Sequence, residues 1–483
     1  MVTRGLWNLR VDGKWYRFFH PPRGRITSPD SPATLERIRK VLSETDQADW
    51  ERVPFPSPLH IDLDYVYNID KDLGILTVDQ WTGDDVLSRM LRRATLTKLE
   101  DPTLITIEAA LDVVGDVLDQ QNADDPNGVI SEGLRINIQE PTPLNELQLL
   151  FLTDFIYLWR FYFDDMLSWK STSLLFRTLA IGILRIAAWD FEVRIDTDTT
   201  EIPLQFSSVP GWQAPSGDVF WFHGFLITLH GAADTVGEAV VKAQTFLRES
   251  PCRRQVTHVI FMSLRHIRLV EISPGSVQCT SSIPLIVNTS AMHPSPGCRV
   301  LASILSSYSW KPFCPRGELW SVNLPTEILD KMLNAMMPRD IVSFAQASLE
   351  VEKWYYSSIP QLDGLRVRDF DLSIPCCGKR HRPNTEGIYC STCYTWYNVI
   401  CMGLSSISSS DTCTCHDCQQ HITCNIMETG GIHQTLQLRT SKPARRRPEL
   451  WLYGRASVPA GEIKYSVFFG GAFTGLAYGF EGE

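Results

Sequence analysis

No cysteine precedes Cys252 in these 483 residues, although the chain holds 13. A secreted disulfide scaffold spreads its cysteines through the domain that it staples, so this distribution argues against that class. The opening MVTRGLWNLRVDGKWYRF contains no apolar run of signal-peptide length. The densest apolar stretch, Ser173–Trp189, is interrupted by Arg177 and Arg185, which leaves no membrane span to expect. Basic charge is in short supply: 45 Lys and Arg face 55 Asp and Glu, a net charge of −10. Broad electrostatic binding of nucleic acid or of an anionic membrane is therefore not expected. Also missing are a phosphate-cradling glycine loop, Gly-x-Ser-x-Gly, His-Glu-x-x-His and any internal repeat. These absences point to a non-catalytic chain in a reducing, intracellular compartment, cytoplasmic or nuclear.

What is present is a folded composition, with 44% hydrophobic and 10% aromatic residues. The length exceeds one compact core and suggests two to four domains. A mixed α/β region is expected over residues 1–315, with a break near 195–218. Lys14–Phe19 reads as a strand, and a helix starts at about Ser31, where Leu35, Ile38 and Leu42 recur at helical spacing. Tyr65–Ile69 and Ile75–Val78 flank Asp70–Gly74 as a hairpin with glycine in the left-handed position. Asp84 to about Leu118 reads as helical, with Val86, Leu87, Met90 and Leu91 on one face, and Leu144–Trp189 is a second helical block. Val219–Leu229 is expected to be a strand, Val236–Leu247 a helix, and Thr257–Ile272 two further strands. Asp62, Asp64, Asp70 and Asp72 crowd one stretch, but strand alternation followed by an acidic turn accounts for them. His223, His230 and His258 flank apolar strands and are expected as structural histidines. The end, 448–483, alternates aromatic and small residues and is expected to be β-rich.

The functional signal lies after residue 320. Residues 323–356 read N-L-P-T-E-I-L-D-K-M-L-N-A-M-M-P-R-D-I-V-S-F-A-Q-A-S-L-E-V-E-K-W-Y-Y. Pro325 fixes φ where a helix begins, and Glu327 favours the positive end of its dipole. Ile328, Leu329, Met332, Leu333 and Met336 form an apolar stripe that stops at Pro338, and Asp340 can cap a second helix. Two short apolar helices joined at a proline cannot bury their surfaces alone. The order Leu324, Pro325, Glu327, Ile328, Leu329, Pro338, Asp340, Ile341 and Trp354 resembles the F-box, over about forty residues, 320–365. The resemblance implies docking onto the Skp-type adaptor of a cullin–RING ubiquitin ligase, with an unknown target protein held elsewhere. By the same resemblance Leu324, Pro325, Ile328, Leu329, Met332 and Ile341 would meet the adaptor.

Nine cysteines fall within Cys376–Cys424. Cys390-x2-Cys393 and Cys415-x2-Cys418 repeat a spacing that turns two sulfurs toward one tetrahedral ion, so zinc is the expected cofactor and these four its best ligands. A second set would draw on Cys376, Cys377, His381 and Cys401. Cys390, Cys393, Trp396 and Cys401-Met402-Gly403-Leu404 resemble a PHD finger over 370–428, with Asn398 where that family places histidine. This second resemblance implies an alternative function, a zinc module or chromatin reader without a ligase role, in which Trp396 is one wall of a peptide-binding cage. The architecture expected overall is α+β and multidomain: a mixed N-terminal region, a short F-box-like helical unit, a small zinc module and a β-rich tail. As a set it resembles F-box-containing proteins of fungal type.

Overall fold

The structure is a computed structural model. It describes residues 5–20, 32–43, 50–59, 63–81, 89–105, 130–134, 143–165, 173–196, 209–231, 235–250, 256–287, 294–306, 324–336, 450–452 and 463–480. Short stretches and single positions between these are described as well, among them 136, 138, 289, 310, 340, 344, 348, 351, 361–362, 365–366, 387–389 and 396–398.

The fold is α+β. The first sheet is built from β1 (Gly5–Val11), β2 (Lys14–His20), β3 (Glu51–Val53), β4 (Tyr65–Asp70), β5 (Ile75–Trp81), β6 (Arg89–Thr95) and β7 (Lys98–Ile105), in the order β3-β2-β1-β4-β5-β6-β7. Asp12 and Gly13 both take positive φ, the backbone of a two-residue hairpin turn, and Val11 pairs directly with Lys14. β1 and β4 run parallel, and parallel neighbours need a crossover; the helix Pro32–Ser43 lies within that connection. Its Leu35 and Ile38 pack with Trp7, Leu9, Tyr67, Ile69, Leu76 and Val78. The alternate residues line the other face, where the Asn8 amide is buried between the Ser57 backbone and the Asn68 side chain.

Two expectations change here. Met90 and Leu91, expected on a helix, stand in β6, which pairs with β5 from Ile75↔Thr95 to Trp81↔Arg89. Sheet pairing overrides the helical spacing, because a buried Leu91 beside half-buried Met90 and Arg92 fits the two-residue period. Val219–Leu229 is not one strand but a hairpin, β10 (Val219–Phe222) and β11 (Phe225–Leu229), turned at His223 and Gly224, both with positive φ.

The second sheet has the order β10-β11-β12-β13-β14-β8, with β8 (Ile130–Glu132), β12 (Thr257–Met262), β13 (His266–Ser273) and β14 (Ser276–Cys279); a short β15 (Ile283–Pro284) also pairs with β13. β11 and β12 are parallel, joined through the helix Val236–Glu249. Thr235 and Glu238 close a capping box at the start of that helix. Every residue of β11 and β12 is buried, as two covered faces require. Ala239, Val240 and Ala243 cover one face. The other face meets the helices Pro143–Leu158, Leu174–Ala187 and Pro296–Ser306, in a core that runs from Phe55 to Leu476. Buried Asn145 and Gln148 tie these three helices, donating to Ser306 Oγ at 2.9 Å and to the Ala187 carbonyl at 2.7 Å.

The third sheet runs β20-β22-β21-β9, from β9 (Glu192–Asp196), β20 (Leu450–Leu452), β21 (Ile463–Phe469) and β22 (Ala472–Phe480). The end of the sequence thus pairs with a strand some 270 residues earlier, Lys464↔Asp196 through Phe468↔Glu192. Gly470 and Gly471, both at positive φ, turn the β21–β22 hairpin. Trp189 and Phe225, on either side of the expected break near 195–218, and Trp212 within it share one core with Val467 and Phe469. Among the described residues no helix is long and apolar enough to cross a membrane.

Candidate functional site

The helix Thr326–Asn334 begins where expected. Pro325, at φ −55° and ψ 145°, stands just before it, and the Pro325 carbonyl accepts the amides of Ile328 and Leu329. Glu327 is in the first turn and Lys331 in the last, both favourable to the dipole. At 100° per residue, positions 328 and 332 share one side of the helix and positions 329 and 333 another, while Leu324 lies ahead of the helix, just before Pro325. The structure divides the apolar residues along that line. Leu324, Ile328 and Met332 are 40%, 42% and 39% exposed, whereas Leu329 and Leu333 retain 4% and 5%. Leu329, expected to meet a partner, instead joins the main core, and its periodicity explains why.

The unit is carried on the body between two anchors. Before it, Trp310 is buried against Phe225 with ring centroids 5.6 Å apart, and its indole N–H donates to Glu271 at 3.0 Å. The same carboxylate oxygen lies 3.0 Å from His258 Nε2, so that histidine belongs to a structural cluster. After the helix, Asp340 and Phe344 are helical, Phe344 packs on the main core and Val351 is fully buried in it. The apolar ridge is therefore the outer side of an element whose inner side belongs to the body. Pro325 is exposed beside it. Ile341, Pro338 and Trp354 lie outside the described residues.

The eight expected zinc ligands, Cys376, Cys377, His381, Cys390, Cys393, Cys401, Cys415 and Cys418, also lie outside the described residues. What is described is an antiparallel pair, β18 (Gly387–Tyr389) and β19 (Trp396–Asn398), in the register Tyr389↔Trp396. Two further short strands, β16 (Gln361–Leu362) and β17 (Leu365–Arg366), pair ahead of it. Among the described residues no three His, Cys, Asp or Glu side chains come together to hold a metal ion. Cys279 and Cys298 are buried, and burial pushes the Cys298 thiol up to about 11, which makes it inert at neutral pH.

Of the acidic stretch, Asp62 lies outside the described residues, and Asp70 and Asp72 serve turns. Asp70 accepts the Leu73 amide at 2.9 Å, Asp72 accepts the amides of Asp12 and Gly13, and Arg10 pairs with both carboxylates. His223 lies 3.4 Å from Asp190, which Arg185 also contacts at 3.3 Å. Burial alone would raise the Asp190 carboxyl, but the His223 hydrogen bond and the Arg185 charge bring it below the ordinary carboxylate value. His230 Nδ1 sits 2.8 Å from the Gly231 carbonyl. Comparison with protein-family models, with curated proteins and with solved structures finds no match for this chain.

Proposed function

We propose that the chain is a non-catalytic adaptor of the F-box type, docking the Skp-type subunit of a cullin–RING ubiquitin ligase through the ridge Leu324, Ile328 and Met332. The observation that carries this reading is the division of one short helix into a buried side and an apolar side left in water. Apolar residues at four-residue spacing on an exposed helix side are the form in which a helix offers anchors to a groove. Stability gives no reason to place three large apolar groups there, since burying each would favour folding by about 1.5–3 kcal/mol. The order of residues from Leu324 to Ile341 supplies the identity of the partner. In this reading the zinc module, with Cys390, Cys393, Cys415 and Cys418 as ligands of one ion, folds a segment that is poor in aliphatic residues. The target protein binds that module or the body.

Capture of the full chain by a purified Skp-type adaptor tests this. Replacing Ile328 and Met332 together by Glu is expected to weaken capture by at least about tenfold, because both anchors lose their apolar surface. The unfolding midpoint in urea should stay close to that of the unaltered chain. Undiminished capture by this double variant ends the proposal. If instead the chain binds histone-tail peptides and loses them on Trp396→Ala, the chromatin-reading alternative replaces it.

A further inference from the structure

One end of the second sheet carries a polar row across three neighbouring strands. Thr228 of β11, Phe261 of β12 and Arg268 of β13 stand side by side in the pairing register, followed by Leu229, Met262 and Ile267. One step further come His230, Ser263 and His266. The His230 amide donates to the Met262 carbonyl at 3.1 Å, and the Ser263 amide to the His266 carbonyl at 2.9 Å. Side chains alternate across a sheet, so this row shares a face with Thr228 and Arg268. It is the face on which Phe261 packs with Ala239, Val240 and Ala243 of the helix Val236–Glu249. β11 and β12 are parallel, and the helix that joins them starts from this same end. The carboxyl ends of parallel strands, beside the start of a helix, are where open sheets of this kind take up ligands.

The charge gathered there is positive. Burial holds the His266 ring below its ordinary value, and Arg265, His230 and Arg268 add to the effect by repulsion. Arg265 is balanced by Asp164 at 3.6 Å. The first carboxylate of the helix, Glu238, is closed in its capping box with Thr235. One row in, Thr228 is fully buried, and among the described residues its hydroxyl has no hydrogen-bond partner, a costly state for a buried donor. His230, His266 and Arg268 are half-buried, so the row is open to water. We propose that His230, His266 and Arg268, with the Thr228 hydroxyl beneath them, form a site for a phosphate group, free or carried on a small molecule. A tetrahedral dianion supplies several acceptors at once and offsets the like charges that face one another here. The guanidinium beside the two imidazoles sets the sign of the ligand, since it repels a metal cation. This site does not depend on the adaptor reading.

Calorimetric titration of the full chain with inorganic phosphate at about pH 6.5, and in a second arm with phosphoserine, tests this. Saturable binding is expected in at least one arm, and the tighter arm tells a free phosphate from a carried one. Arg268→Gln should weaken binding at least about tenfold, and Arg268→Lys, which keeps the charge, should weaken it less. Sulfate, whose charge is constant over this range, should bind several-fold more tightly at about pH 6 than at about pH 8, because the anion favours the charged imidazoles. His266→Gln should lessen that rise while its unfolding midpoint in urea stays close to that of the unaltered chain. Absence of saturable binding in both arms, or phosphate affinity unchanged in both Arg268→Gln and His266→Gln, overturns the proposal.

Discussion

The helices Leu174–Ala187 and Thr326–Asn334 are built from similar aliphatic residues and end in opposite situations. The first, LLFRTLAIGILRIA, is apolar nearly all round and buried along almost its whole length, from Leu175 to Ala187. The second, TEILDKMLN, buries Leu329 and Leu333 and leaves Ile328 and Met332 in water. A helix covered on every side has its apolar residues accounted for by its own fold. A helix covered on one side, with apolar residues on both, leaves apolar surface in water, and the proposed docking rests on that surface. The same side-chain chemistry is thus buried in one place and left exposed in the other, and the adaptor reading rests on that difference.

Truncations break this comparison at its strongest point in the body. Trp212→Ala removes a ring from the floor under Phe469, together with an indole bond to the Thr178 carbonyl at 2.6 Å. It should cost about 3–5 kcal/mol in urea unfolding. The contrast sharpens on two neighbouring residues of the exposed helix. Leu329→Ala is expected to cost about 2–5 kcal/mol, because Leu329 is core. Ile328→Ala should change stability by less than about 0.5 kcal/mol and weaken adaptor capture instead. Equal losses of stability at 328 and 329 would erase the distinction between the two sides.

The smallest effect is a dependence on pH within the body. The folded Asp190 carboxyl titrates below its ordinary value of 3.8, so its partners stabilise the charged form. That contribution is fully present above the ordinary value and is lost as pH falls through the lower, folded one. Stability should therefore decline on acidification below about pH 4, and Asp190→Asn should flatten that part of the curve while lowering stability at neutral pH. A variant with the same acid limb as the unaltered chain would show that other carboxylates govern it.

Much of this was legible in the amino-acid pattern, and the exceptions have physical causes. Hairpins with a glycine at the turn, such as Tyr65–Asp70 with Ile75–Trp81, are local, as is the strand–helix–strand passage through residues 225–262, and both stand as expected. The turn at Asp12-Gly13 carried an equally plain signal in its Asp-Gly pair. Arg89–Thr95 misled because an apolar pair beside arginines satisfies helical and strand spacing alike, and only neighbouring strands decide. The return of 463–469 to 192–196 left no trace in the sequence, since pairing at that separation follows from tertiary packing and not from local propensity. Within the candidate site, residue order placed the helix and its apolar residues. Which of them faced outward depended on where the body lay, so Leu329 was grouped with Ile328.

Those two residues are adjacent in sequence, yet they answer to different judges. A change at 329 must be tolerated by this molecule's own interior, whereas under the proposed docking a change at 328 would have to be tolerated by a surface encoded in another gene. In that reading the first position drifts over generations in step with its neighbours inside the chain, and the second in step with the proposed ligase subunit. Two evolutionary clocks would then run one peptide bond apart, kept separate by nothing more than the pitch of a helix.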